Sequence, residues 1–207
     1  MDAPSTAAAM PLATSTTLPS RKLAVWLFLG SEILFFSALI FTYILLRVHS
    51  PNWPVHHQIA EVLDINLTAL NTFFLILSSV CVVLALEAVQ RGQQKGLVRW
   101  LFATLVLGVT FLSIQAFEYN KLFHEGLSIT KSPIKGTDPF FGTTFFTMTG
   151  FHGAHVLGGV LTLALVLFKA SRGLYTKEAH AGVELFGLYW HFVDVVWIIL
   201  FTIAYLV

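Results

Sequence analysis

Five stretches of the chain stay apolar for the length of a bilayer crossing, at roughly 23–47, 67–90, 98–122, 142–168 and 184–206. A helix of about 20 apolar residues spans the hydrocarbon core. Backbone groups in hydrocarbon must be satisfied internally, and these runs are too long for barrel strands, so each is predicted as a helix. The connections are short, which predicts antiparallel neighbours. Residues 1–20 mix Ala, Ser, Thr and Pro without apolar periodicity and predict a disordered tail. They lack the charged start and apolar core of a signal peptide, and the first apolar run is too long for one and carries Glu32. The expected architecture is all-α, with a tail over 1–20 and a five-helix transmembrane domain over 21–207.

Composition agrees with the pattern. The 207 residues are 56% hydrophobic and only 11% charged, where soluble domains carry about 25% charged residues. Mean hydropathy is +0.77. A net charge of +1, without a basic patch or nucleic-acid motif, gives no reason to expect a nucleic-acid partner. The single cysteine, Cys81, lies in an apolar helix and has no internal disulfide partner. Lys and Arg divide eight to four between the two sides, which predicts a cytoplasmic N-terminus and an external C-terminus.

The chemistry sits in the few polar residues inside the apolar runs. Intramembrane ionisable groups are expensive and face protein or water. In the last run Glu184 and His191 are seven apart and Asp194 is three further on, so one helical side carries all three. Trp190 and Trp197 share a face there, and an indole N–H is placed to donate to Asp194; aromatic packing at a subunit interface is the compatible alternative. Glu32 in the first run reads either as a lipid-headgroup or proton-handling carboxyl, or as a protonated donor to a neighbouring helix. Gln115 and Glu118 share a face near the outer end of the third run and read as polar anchors at the interface. His152 and His155 in the fourth run flank the small-residue series Gly150, Ala154 and Gly158, which favours close helix approach. They lack the third and fourth ligands a zinc site needs, so satisfied polar residues at a helix crossing are expected. His56 and His57, in the first outer loop, are expected to be solvated. Lys169 and Arg172, just before the last run, suit anionic headgroups or simple topology signalling.

Two long motifs carry a resemblance. The run F-F-x-x-T-G-F-H-G-x-H-V at 145–156 and Y-W-H-F-V-D-V-V-W at 189–197 resemble subunit III of haem–copper terminal oxidases. Supporting pieces are L-F-x-x-S-E-I-L-F-F at 27–36, L-N-T at 70–72, Q-A-x-E-Y at 115–119 and H-x-G-x-E at 180–184. The resemblance covers about 22–207 and aligns the first helix with the third of longer relatives. It implies an accessory chain that itself binds no haem or copper. The metal cofactors are then expected in partner subunits, with subunit I beside it and subunit II in the same complex, in the bacterial cytoplasmic membrane. Implied roles are to stabilise subunit I, hold structural phospholipids and support proton uptake. The residues implied for lipid or proton handling are Glu32, Lys169, Arg172, His180 and Glu184. The implied buried polar signature is Glu118, His152, His155, His191, Asp194 and Trp197. Position 188 is leucine where longer relatives have tryptophan, which weakens a lipid contact there. The electron donor, quinol or cytochrome c, stays open.

The sequence leaves three alternatives. One is the related accessory subunit of a nitric oxide reductase. Another is a small proton or ion transporter using Glu32, Glu118, Glu184 and Asp194, although such folds often show inverted repeats and broken helices, and neither signal is present. The third is a membrane cytochrome with His155 and His191 as haem ligands. Contact with a larger subunit is expected through Gly150, Ala154 and Gly158, or through the third helix.

Overall fold

The computed structural model describes residues 20–54, 63–130, 138 and 140–206. Nearly all of the predicted tail, the pair His56–His57 and the loop lysines Lys131 and Lys135 lie outside these described residues. The described chain forms five long helices: α1 (Ser20–His49), α2 (Ile65–Gln90), α3 (Gln94–His124), α4 (Phe140–Ser171) and α5 (Ala181–Phe201). A π-helical turn, Thr202–Leu206, extends α5. All five are long and apolar enough to cross a membrane. They run beyond the apolar stretches because polar residues at headgroup depth continue the same helices.

The ends are set by local chemistry. Asp64 caps α2, its carboxylate accepting from the Leu67 N–H at 3.1 Å. Helices α2, α3 and α4 each stop at a glycine in the left-handed region, Gly92, Gly126 and Gly173, with φ of 74°, 91° and 72°. Each glycine N–H bonds back three residues and the following N–H bonds back five, as in Gly92 to Val89 and Gln93 to Ala88. This double bond pattern satisfies the last carbonyls of the helix.

Helices α2 and α3 form the most extensive pair, and α5 packs against both α2 and α4. Contacts at matched ends, such as Thr68 with Glu118 and Gln94 with the Ala170 carbonyl, establish that consecutive helices alternate in direction. One expectation fails. Helix α1 does not pair extensively with its chain neighbour α2; it lies on α4 and α5. The reason is chemical, because the partners of its polar residues sit on those helices. It buries only the seven-residue series Leu29, Phe36 and Tyr43.

One residue ties the other four helices together. Trp190 of α5 is fully buried and its indole N–H donates to Ser78 of α2 at 2.9 Å. Its six-membered ring lies between Gly108 of α3 and Gly159 of α4, where an added Cβ would meet it at 2.9 and 2.7 Å. Small residues at these two crossings are therefore required by the ring itself.

Candidate functional site

Helix α1 is held by polar contacts at three depths. Near its start Lys22 meets Glu184 of α5 at 2.6 Å. Further in, Glu32 Oε2 lies 2.9 Å from His155 Nε2 of α4. Near its end Arg47 donates to the Ile203 carbonyl at 3.4 Å. Lipid tails are as apolar as leucine, so helix association in a membrane draws on packing and on such polar contacts, each worth about 0.6–2 kcal/mol.

The middle contact has the most chemistry. Both side chains are less than a fifth exposed. His155 Nδ1 lies 2.7 Å from the Phe151 carbonyl. A carbonyl only accepts, so Nδ1 carries a hydrogen. The Glu32–His155 contact then holds one further proton, on the carboxyl with a neutral ring or on Nε2 with a carboxylate. Phe35 and Phe36 pack their rings against the imidazole, and the Tyr189 hydroxyl donates to the His155 carbonyl at 2.8 Å. Glu32 is thus not a lone acid.

The stripe on α5 divides between two neighbours. Glu184 turns to α1, whereas His191 Nδ1 lies 3.2 Å from the Ser79 hydroxyl of α2. Asp194 is buried, with the Ser79 hydroxyl and His191 beside it. The expected indole–Asp194 bonds are absent. Trp190 donates to Ser78, and Trp197 donates to Thr72 at 2.9 Å. Both tryptophans donate to hydroxyls of the facing α2, and Asp194 lies beside another hydroxyl of that helix, Ser79.

His152 is fully enclosed and neither ring nitrogen has a hydrogen-bond partner. It stacks on Trp197 with centroids 4.8 Å apart and meets the Phe111 ring edge-on. Aromatic contact, rather than hydrogen bonding, accommodates it.

Glu118 and Gln115 correct the interface reading. Both are buried, and both fasten helices. Thr68 of α2 donates to Glu118 Oε1 at 2.9 Å, and Tyr205 donates to Oε2 at 3.4 Å. Gln115 donates to the Thr149 carbonyl of α4 at 3.1 Å, next to a Tyr119–Thr149 hydroxyl contact of 2.6 Å. All three polar residues of the Q-A-x-E-Y motif thus make helix-to-helix bonds.

The remaining candidates do not gather. Lys169 and Arg172 are exposed, and the Arg172 guanidinium lies 5.0 Å from the Phe168 ring centroid. His180 stands just before α5 without a capping bond from its side chain. Glu184 takes Lys22, rather than any of these three, as its ion-pair partner. The series Gly150, Ala154 and Gly158 is not the tight crossing; Gly108, Gly153 and Gly159 are. Ala154 and Gly158 are exposed on the bundle surface. His155 and His191 engage different helices, α1 and α2, and do not form a facing pair of free ligands. Among the described residues no three His, Cys, Asp or Glu side chains converge as a metal site.

Several partners escaped the sequence reading: Lys22, Thr68, Thr72, Ser78, Ser79 and Tyr189. For the four on α2, the available signal was the recurrence of hydroxyls along that helix.

The family model described as cytochrome c oxidase subunit III matches residues 8–207. A probable cytochrome c oxidase subunit 3 of Nocardia farcinica is 35% identical over 184 residues, covering 88% of this chain and 85% of the relative. A quinol oxidase subunit 3 of Bacillus spizizenii is 35% identical, with 89% and 85% covered. A cytochrome c oxidase subunit 3 of Thermostichus vulcanus is 36% identical over 187 residues, with 90% and 87% covered. Glu32 of α1, Gln115, Glu118 and Tyr119 of α3, and Glu184, Trp190, His191 and Trp197 of α5 fall within the motifs that prompted the resemblance, and the chain, a multi-pass membrane protein of five helices, belongs to the cytochrome c oxidase subunit III family.

Proposed function

We propose that this chain is the accessory subunit III of a respiratory haem–copper oxygen reductase, with haem and copper carried by its partners. The observation that carries the proposal is the family match, which runs through all five helices. Subunit I is the immediate partner, with subunit II in the same complex, in a bacterial cytoplasmic membrane. The N-terminus faces the cytoplasm, as the eight-to-four division of Lys and Arg favours. The relatives include both quinol and cytochrome c oxidase subunits, and the role proposed here serves either donor.

Within that role the chain stabilises subunit I, holds structural phospholipids and supports proton uptake. Glu32 with His155 suits proton handling, because the contact retains one proton in either protonation arrangement. Lys169, Arg172 and His180 belong with lipid headgroups at the same end of the bundle as Glu184, whose carboxylate anchors α1 through Lys22.

The test is to prepare the oxidase with and without this chain and follow oxygen uptake to exhaustion. The complex lacking it is expected to lose activity sooner during turnover and to carry fewer phospholipids. Equal lifetimes and equal lipid content would remove the stabilising and lipid roles.

A further inference from the structure

A groove of about 800 Å³ runs between α3 and α4, away from the Glu32–His155 contact. Its α3 wall is Lys95, Val98, Arg99, Phe102 and Leu105, a single helical face at three- and four-residue spacing. Its α4 wall is Ala164, Leu167, Phe168 and Ser171, again one face. Polarity is sorted along the length. The cations lie at one mouth, beside Gln94 and Ser171, and the lining beyond Arg99 is apolar.

The dimensions and charge fit a particular occupant. From Arg99, at the polar mouth, to Leu105 is about 9 Å along a helix, so the apolar lining reaches part-way into one leaflet of a ~30 Å hydrocarbon core. Lys95 is exposed and has no ion pair among the described residues, and no carboxylate lines the groove. Arg99 packs 5.2 Å from the Trp100 ring centroid, an aromatic placement typical of headgroup depth. Arg172 is held over Phe168, itself part of the wall. By contrast, the groove between α1 and α5 is lined by apolar residues with Ser37 and His191 and by no lysine or arginine.

We infer that the α3–α4 groove binds one anionic phospholipid, its phosphate at Lys95 and Arg99 and one acyl chain along Phe102, Leu105 and Ala164. The site is a property of this chain's surface and does not depend on which oxidase it serves.

The test uses the intact, delipidated membrane complex, titrated with phosphatidylglycerol or phosphatidylcholine and read by native mass spectrometry. One charge–surface attraction is worth about fivefold, so K95Q with R99Q is expected to weaken phosphatidylglycerol binding about 30-fold. Phosphatidylcholine, whose phosphate charge is offset by its choline, should bind the unaltered protein more weakly and lose less in the charge variant. A second variant, Ala164→Phe, keeps every charge and fills the trough; it should also weaken phosphatidylglycerol binding. Co-purification of haem-bearing subunits, measured on the same samples, reports separately on the proposed function. Equal phosphatidylglycerol affinity in the charge variant would overturn the assignment. So would displacement by millimolar inorganic phosphate alone, which marks a free-anion site. Binding to the isolated chain but not to the complex would also overturn it, since a neighbouring subunit would then fill the groove.

Discussion

Glu32 and His155, 123 positions apart in the chain, meet at 2.9 Å inside the membrane-spanning part of the bundle. The contact joins α1 to α4 midway between two other fasteners, Lys22–Glu184 and Arg47–Ile203. Because α1 buries so little else, its position depends on these bonds. Glu32→Ala and His155→Ala are each expected to loosen α1. In the assembled complex Glu32→Ala should also lower lipid retention or shorten its working lifetime. A double-mutant cycle on thermal unfolding in detergent should give a coupling of about 1–3 kcal/mol, the range for residues in direct contact. Strict additivity, with unchanged lipid content and lifetime, would remove Glu32 from the site.

The Lys22–Glu184 pair makes a useful contrast. Its side chains are about one-third exposed, and exposed ion pairs contribute under about 1 kcal/mol. Lys22→Ala should therefore shift unfolding far less than His155→Ala, and raising the salt should erase most of the difference. A larger loss in Lys22→Ala than in His155→Ala would reverse the order of importance assigned to the two contacts.

At Trp190 the prediction is steric. A Cβ at Gly159 would meet the indole ring at 2.7 Å, with Gly108 close on its other side. Overpacking a filled core costs about 1–3 kcal/mol. Gly159→Ala should lower thermal stability by that amount, and adding Trp190→Phe should recover part of it by shortening the ring. Thermal unfolding of the two variants decides the point. If Trp190→Phe worsens Gly159→Ala additively, the crossing is not limited by the ring.

Glu118 is predicted to act as an acceptor. It receives hydroxyls from Thr68 and Tyr205, and a glutamine carbonyl can still take one of them. Glu118→Gln should therefore be milder than Glu118→Leu, which leaves the Tyr205 hydroxyl unpaired at a cost of about 1–3 kcal/mol. Thermal unfolding of both variants is the check, and equal losses would argue that packing alone sets the site.

The membrane-spanning architecture is legible because it rests on local quantities: apolar run length and the absence of interior proline. Helix stops at Gly92, Gly126 and Gly173 carried the same kind of local signal. Side-chain pairing was not local. Asp194 appeared to suit Trp190 and Trp197 because helical spacing puts them on neighbouring positions. Their indoles instead reach Ser78 and Thr72, six residues apart on the facing α2, matching a seven-residue step on α5. That ladder requires knowing that α2 faces α5. Likewise Glu118 looked interfacial by its distance from the helix end, yet α2 and the turn after α5 cover it. The partner of Glu32 depended on α1 crossing to α4 rather than to α2, a choice no spacing along one helix encodes.

As an accessory oxidase subunit, this chain is expected to work beside a haem-bearing partner without binding haem itself. The most direct measurement is the visible absorption spectrum of the tagged chain purified in mild detergent, repeated after a harsher detergent separates it from its companions. Haem absorption is expected in the first preparation and none in the second. A haem band that stays with the separated chain, or a mild preparation with no haem-bearing subunit at all, would contradict it.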